Sequence, residues 1–445
     1  MRTIVGFILL VWLGIAALPT TLRAQAQPLL SLDDAVAQAL EHNRLVKDAV
    51  FDAEKSVFRV NVARSRRLPQ FQISVLAGQL LRPIDFTFAA GSFGTYSDGP
   101  VPSTDAKITT PSQFTTFVTG SVDLPLLQQH EIGLAIRATE LAGEIAREGV
   151  RQRRQKIAAD VRTAYFVVVA TQAAVDAARE TVRTLEEAQR VTTQYRVQEV
   201  VLRAEALEVD ARLARSRYEL SAAENGLATQ REQLNQLLGR ELTTEFRVHA
   251  IQEDSSGGLT LDAARQRAID SRPEIRQADL KSQQADYERR LAKAEYLPDL
   301  SVSARYLGFN NFEVIPPSVA TAGVYLSWEP FDWGRRRNNL AEKTMTLAQT
   351  RNGAEETRAQ VAVEVGSKYR KWEESVLLLK AARTGHDAAL EQFRVTTNRY
   401  KEQAALVRDL LQAQSRSADA AFQYQQALAS YWSAFADLRR AIGDE

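Results

Sequence analysis

The chain is written twice, so whatever it folds into must be built from two copies of one plan. Leu32-Asp33-Asp34-Ala35 reappears as Leu261-Asp262-Ala263-Ala264, a shift of 229 residues that also carries Leu68-Pro69 onto Leu297-Pro298 without a gap. Further along the shift is 204 residues. It takes Arg190-Val191-Thr192-Thr193 onto Arg394-Val395-Thr396-Thr397, Tyr165 onto Tyr369 and Gly239 onto Gly443, and brings Pro125 within one residue of Pro330. The difference of 25 residues (229 minus 204) falls between the Leu-Pro pair and the later proline. A surface loop of unequal length must sit there.

Each half reads in the same order. A short helix starts near Ser31 and again near Thr260, with a hydroxyl N-cap candidate and acid in the first turn. A second helix runs to the proline of each Leu-Pro pair, which ends it. Two strands around a loop follow, then a very long helix, a turn and a returning helix. No proline occurs in residues 126–272 or 331–445, and both stretches are rich in Ala, Gln, Glu and Arg, all good helix formers. A helix over residues 129–195 would be about 100 Å long, far beyond the globular norm. Val161, Val168, Val175 and Val182 recur every seven residues, as do Leu213, Leu220, Leu227 and Leu234 on the returning segment. In the second half those leucine positions become Ser417, Tyr424, Tyr431 and Leu438, interleaved with alanines. Large residues facing small ones at heptad spacing suit antiparallel pairs packed knobs-into-holes. Heptads alone also fit a soluble helical bundle.

The strands carry the information on compartment. Phe71, Ile73, Val75 and Ala77 alternate with Gln72 and Ser74, and Leu300, Val302, Ala304 and Tyr306 with Ser301, Ser303 and Arg305. Before the later prolines, Val118, Val122 and Leu124 oppose Thr119, Ser121 and Asp123; Val324, Leu326 and Trp328 oppose Gly323, Tyr325 and Ser327. One apolar and one polar face over about ten residues is the outer-membrane barrel pattern, although a soluble amphipathic sheet shares it. Phe114, Phe117, Tyr306, Phe309, Trp328, Phe331 and Trp333 cluster toward the strand ends, as an interfacial girdle would. Four such strands cannot cross a bilayer alone, because open edges leave backbone groups unpaired in hydrocarbon. Two copies would close eight strands and three would close twelve. Residues 80–112, rich in Gly, Pro, Ser and Thr, read as a long outer loop; the counterpart over residues 310–318 is short.

The remaining signals are mostly exclusions. Arg2, an apolar core over residues 4–18 and Ala24-Gln25-Ala26 read as a secretory signal with cleavage before Gln27. That apolar run is shorter than the roughly 18 residues of a spanning helix, and no longer one follows. There is no cysteine, hence no disulfide, thiol nucleophile or zinc-cysteine site. The balance of 56 Lys and Arg against 55 Asp and Glu leaves no basic domain for nucleic acid. The four histidines, His42, His130, His249 and His386, are scattered without metal-site spacing. No catalytic motif, metal site or cofactor is expected.

Together the duplication, the two Leu-Pro pairs and Glu329-Pro330-Phe331-Asp332-Trp333-Gly334 resemble the TolC-like outer membrane efflux proteins over residues 29–443. The last run resembles the family's turn from final strand into long helix; its first copy, Leu124-Pro125-Leu126-Leu127-Gln128, lacks the Asp and Gly. The resemblance implies a mainly helical fold with a small β part: a duplicated helix, β-hairpin and long helical hairpin. It implies a homotrimer with a shared twelve-stranded transmembrane β-barrel and a coiled-coil α-barrel tunnel in the periplasm. On that plan residues 1–26 are the signal peptide. Residues 27–258 are the first repeat, with strands near 70–82 and 113–125 and long helices near 129–195 and 203–238. Residues 259–445 are the second, with strands near 299–310 and 319–330 and helices near 334–400 and 406–441.

The implied function is the exit duct of a tripartite efflux or type I secretion system, fed by an inner-membrane pump and a periplasmic adaptor and passively conducting. The family's constriction lies just after the helix turns. Mapping it nominates Asp409, Glu205, Gln412, Arg408, Arg203 and Tyr400 as gate candidates, with Glu199 and Gln403 where the family carries glycine. The interfacial aromatics are Trp328, Phe331, Trp333, Tyr306 and Phe309, and residues 240–258 are available as a belt around the tube. Arginines 64, 66 and 67, and 335 to 337, stand where helix meets strand beside lipid headgroups or solvent. The alternative from another class is a periplasmic coiled-coil adaptor or structural protein without a pore.

Overall fold

The computed structural model describes residues 29–197, 202–249, 260–311, 316–402 and 404–444. The expected signal peptide, segment 250–258 and the turn residues Glu199 and Gln403 lie outside the described residues.

A two-residue strand β1 (Leu29–Leu30) leads into α1 (Leu32–His42) and α2 (Arg44–Ser65). The Ser31 hydroxyl accepts the Asp34 N–H at 3.1 Å and so caps α1. β2 (Gln70–Gln79) then rises into a region carrying β3 (Ile84–Phe88), β4 (Thr95–Tyr96), β5 (Gly99–Pro100) and β6 (Ala106–Thr110), and β7 (Phe114–Pro125) returns. The outer loop read from the sequence is therefore two nested hairpins, β3 with β6 and β4 with β5. Ile84, Phe86 and Phe88 alternate along β3, and the Phe88 and Phe93 rings meet at 5.1 Å. Glycine and proline masked that alternation in composition.

α3 (Gln129–Val197) runs for 69 residues, about 100 Å, and α4 (Arg203–Leu238) returns along it. β8 (Arg247–Val248) pairs parallel with β1. The second copy follows as α5 (Leu261–Ser271), α6 (Pro273–Ala294), β9 (Asp299–Asn310), β10 (Ser318–Ser327), α7 (Arg335–Lys401) and α8 (Val407–Ala441). Thr260 caps α5 as Ser31 caps α1, accepting the Ala263 N–H at 3.3 Å.

The strands form one antiparallel sheet in the order β10-β9-β7-β2. Beneath it, α3 and α7 are continuous, whereas the start of α2 meets the end of α4, and the start of α6 the end of α8. Near the sheet α3 packs on α2 and α6; farther down it packs on α4 and α8. The heptad residues Val161, Val168 and Val175 form the core with Leu227 and Leu234 opposite and Tyr431 and Trp432 from α8. Among the described residues no helix is long and apolar enough to cross a membrane.

The two end-on-end joints are built alike, and the shifts of 229 and 204 superpose them. The Asn43 side-chain amide donates to Leu237 O at 2.8 Å. Its repeat-mate Arg272 donates to Ala441 O, the mate of Leu237, at 3.2 Å. Gly239 and Gly443 both take left-handed φ, +70° and +88°, and press on His42 and Ser271. Arg272 is buried and also binds Glu274 and Glu364, each at 2.9 Å. That pairing offsets the desolvation of its guanidinium and holds its pKa above the ordinary arginine value. Tyr165 ties the same level to β1 and β8: its hydroxyl donates to Leu30 O at 2.8 Å and accepts the His249 N–H at 3.0 Å.

Candidate functional site

The register sorts the sheet into two faces. Phe71, Val122, Ala304 and Ala322 form one cross-strand row; Leu124, Val302 and Val324 form the next row toward the helices. This apolar face is bare, with Phe71 and Ile73 each 78% exposed. The opposite face carries rows such as Gln72, Ser121, Arg305 and Thr321. Both edge strands, β2 and β10, lack a partner on their outer side among the described residues. A sheet with a naked apolar face and two naked edges is finished only by lipid and by further strands.

Of the aromatics expected at the membrane interface, Tyr306 lies on the apolar face, in the row of Ile73 and Gly120. Trp328, Phe331 and Trp333 follow β10 at its helix end and are exposed, and Phe331 and Trp333 contact edge to face at 4.8 Å. Phe309 sits at odd register with Arg305, on the polar face, where its ring meets Phe117 edge to face at 5.7 Å. Proximity to the strand end suggested a girdle; the period-two pleat decides the face.

The turn from β10 into α7 has a specific construction. Trp333 and Gly334 adopt left-handed φ of 56° and 85° in succession. Asp332 holds them: its carboxylate accepts the Gly334 N–H and the Arg336 N–H, each at 3.0 Å, and caps α7. The Arg336 amide and then the Gly334 amide keep the Asp332 carboxyl below the usual carboxylate range. A lowered folded-state pKa stabilises at pH above the unfolded value, about 3.9, and the contribution is lost as pH falls through the lowered value. Asp332→Asn should therefore flatten the acid-side loss of thermal stability below about pH 4, measured as the temperature at which the folded band disappears on a gel. Half of the clustered arginines are engaged within the chain. Arg64 pairs with Glu140 at 2.7 Å, and Arg335 and Arg336 both reach Glu329. Arg66, Arg67 and Arg337 are exposed.

At the far end, α3, α4, α7 and α8 share one apolar cluster containing Leu185, Val209, Leu213, Tyr400, Val407 and Leu410. Tyr400 is 7% exposed and its hydroxyl lies 3.4 Å from the Thr192 hydroxyl, joining the two hairpins. Glu205 and Asp409, repeat-mates by the shift of 204, each stand at the third position of a returning helix. Their carboxylates accept the N–H of Leu202 at 3.1 Å and of Leu406 at 3.3 Å. Both acids thus cap helix starts. The Arg408 guanidinium lies 3.7 Å from Asp409, while Arg203 and Gln412 are exposed. Arg408 approaches Asp409, Gln412 stands one turn farther along the same helix, and Arg203 lies on α4 two residues before Glu205. Among the described residues no acid, histidine and cysteine group could hold a metal ion.

A two-faced sheet with unfinished edges, set on a helical shaft of about 100 Å, defines a barrel-forming channel protein with a long helical extension. The chain belongs to the outer membrane efflux protein family, whose model matches residues 35–240 and 264–444. Its fold is similar to that of a membrane protein from Pseudomonas aeruginosa, at 17% identity and a TM-score of 0.75, over 93% of this chain and 90% of that one. It is similar to the CmeC outer membrane channel of Campylobacter jejuni, at 16% identity and a TM-score of 0.73, over 93% and 85%. The MtrE outer membrane channel of Neisseria gonorrhoeae matches at 19% identity and a TM-score of 0.70, over 93% and 89%. No curated protein matches the chain in sequence. The protein's place is the outer membrane, with the helical shaft extending into the periplasm, and its family is one of channels rather than enzymes.

Proposed function

We propose that three copies of this chain close a twelve-stranded barrel and a helical tunnel, and that the assembly is the passive exit duct of a tripartite efflux or type I secretion system. The observation that carries this reading is the pair of unpartnered strand edges flanking a sheet with one bare apolar face. In hydrocarbon each unpaired backbone group costs several kcal/mol, so β2 of one copy must meet β10 of the next. Eight strands from two copies would enclose a space that side chains fill; twelve leave a passage. The helices support the same closure, because α4 and α7 stand at the two sides of the shaft. An inner-membrane pump supplies the energy, and an adaptor links it to the helical tip. On this plan residues 27–258 and 259–445 are the two repeats.

The test is conductance in planar lipid bilayers of the purified protein, with its mass in detergent. A trimer giving discrete single-channel steps is expected; a soluble monomer that never inserts would favour the poreless adaptor.

We also propose that the helix turns form the gate, with Asp409 and Glu205 as charged rings, Arg408, Arg203 and Gln412 beside them, and Tyr400 fixing the joint between hairpins. Three like charges at one height attract cations and repel anions. Because Asp409 also caps α8, the informative variant is Asp409→Asn, which keeps an oxygen acceptor for the Leu406 N–H and removes the charge. It should raise single-channel conductance or reduce cation preference. Unchanged currents would leave Asp409 with its capping role alone.

A further inference from the structure

The polar face of the sheet is not uniformly polar. Counted from the helices toward the outer loops, its rows change character. Asp299 with Ser327, then Pro125, Ser301 and Tyr325, come first; Gln70, Asp123, Ser303 and Gly323 follow, and then Gln72, Ser121, Arg305 and Thr321. Next stand Ser74 and Thr119 with Leu307 and Val319, and then Leu76, Phe117 and Phe309. Arg305 is the one cation of this face among the described residues, and it is exposed. Successive rows on one face are about 7 Å apart. Leu76 is 67% exposed and Phe117, Leu307, Phe309 and Val319 are half-buried, so this apolar end stays partly open on the inner side of the sheet. Apolar side chains on the inward wall of a barrel gain nothing from lipid, and their place at one end calls for a role in the passage itself.

We propose that the outer half of the lumen is a selectivity element: Arg305 from each copy forms a cationic ring near mid-height, and Leu76, Phe117, Leu307, Phe309 and Val319 form an apolar collar on its outward side. The class of solute it favours is the amphipathic organic anion, a carboxylate or sulfonate carried on an apolar body. The guanidinium ring attracts the anionic group, and the collar takes the apolar body while disfavouring small hydrated ions by dewetting. Asp123, one row inward on the neighbouring strand, opposes the ring and sets its strength. This inference rests on the closed barrel proposed above.

The experiment is reversal potential in planar bilayers under a KCl gradient, with the full-length protein as wild type, Arg305→Glu, Arg305→Gln and Asp123→Asn. Each is recorded also with Asp409→Asn, so that charge at the periplasmic tip does not mask the outer ring. Arg305→Glu is expected to lower the anion-to-cation permeability ratio by about tenfold at low salt. Arg305→Gln should give an intermediate value, and Asp123→Asn should shift the ratio toward anions. The differences should collapse near 1 M salt, where the Debye length is about 3 Å. The double variant Phe117→Ser, Phe309→Ser should raise small-ion conductance and weaken block by decanesulfonate added from the outer side. Channels of normal conductance whose reversal potential is the same with arginine or glutamate at position 305 would overturn the ring. Unchanged conductance and block in the double serine variant would overturn the collar. A wild type that forms no channels at all would instead overturn the barrel.

Discussion

Arginine in place of Ala304 is expected to abolish assembly in the outer membrane, whereas arginine in place of Ser303, one residue earlier, is expected to leave it intact. Ala304 stands on β9 between Val122 and Ala322, in the apolar row that also holds Phe71. A lipid-facing arginine near the bilayer midplane costs about 2–4 kcal/mol, and three copies incur it together. Ser303 faces Asp123 across the strand pair on the opposite face, so an arginine there meets water and a carboxylate. The check is the heat-modifiable gel shift of outer-membrane fractions. Ser303→Arg should give a folded oligomer band and Ala304→Arg little or none. Equal yields from both variants would mean that neither face touches lipid.

The second large effect is expected at the joint in the middle of the shaft. A Cβ at Gly239 would lie 2.5 Å from His42 O and 2.8 Å from His42 C, backbone atoms that cannot step aside alone. Gly239 also holds a left-handed φ of +70°, which costs a residue with a side chain about 1–3 kcal/mol by itself. Gly239→Ala must then push the α1–α2 junction away and strain the Asn43 hydrogen bond to Leu237 O. We expect a marked fall in the temperature at which the folded oligomer is lost. Gly149→Ala should do the reverse, because Gly149 sits within α3 with nothing within 4 Å of an added Cβ. There alanine gains about 0.5–1 kcal/mol of helix propensity. Opposite signs for two glycine-to-alanine changes would separate the joint from a general intolerance of the shaft.

Much of the architecture was legible along the chain because its signals are periodic and local. Proline-free stretches with heptads specify long paired helices, since helix geometry converts a seven-residue repeat into one buried stripe. The Leu-Pro pairs punctuate helix and strand through the ring of proline, whatever surrounds them. Period-two alternation likewise specified a sheet with one apolar face. What alternation in single strands did not carry was their order and register. Phe309 is the clearest case: its position near a strand end suggested an interfacial aromatic, while pairing with Phe117 places it on the same face as Arg305, two rows farther out. The outer hairpins were hidden for a related reason, because their short strands lie among turn residues and are stabilised by pairing across the loop.

The candidate gate shows the same division. The sequence brought Asp409 and Glu205 to corresponding positions through the shift of 204, and the structure adds that each carboxylate closes a helix start. Neither a repeat nor a motif reports hydrogen bonds of that kind, which depend on where the preceding turn directs its N–H groups.

By itself, then, the sequence determined a duplicated chain of long heptad helices and two-faced strands, because those properties reside in the spacing of residue types. Only the tertiary structure decided that α2 meets the end of α4 and α6 the end of α8, that the strands run β10-β9-β7-β2, and that Arg305 lies inward of an apolar row. These depend on contacts between residues far apart along the chain, where a shift of one register position exchanges the two faces of a strand.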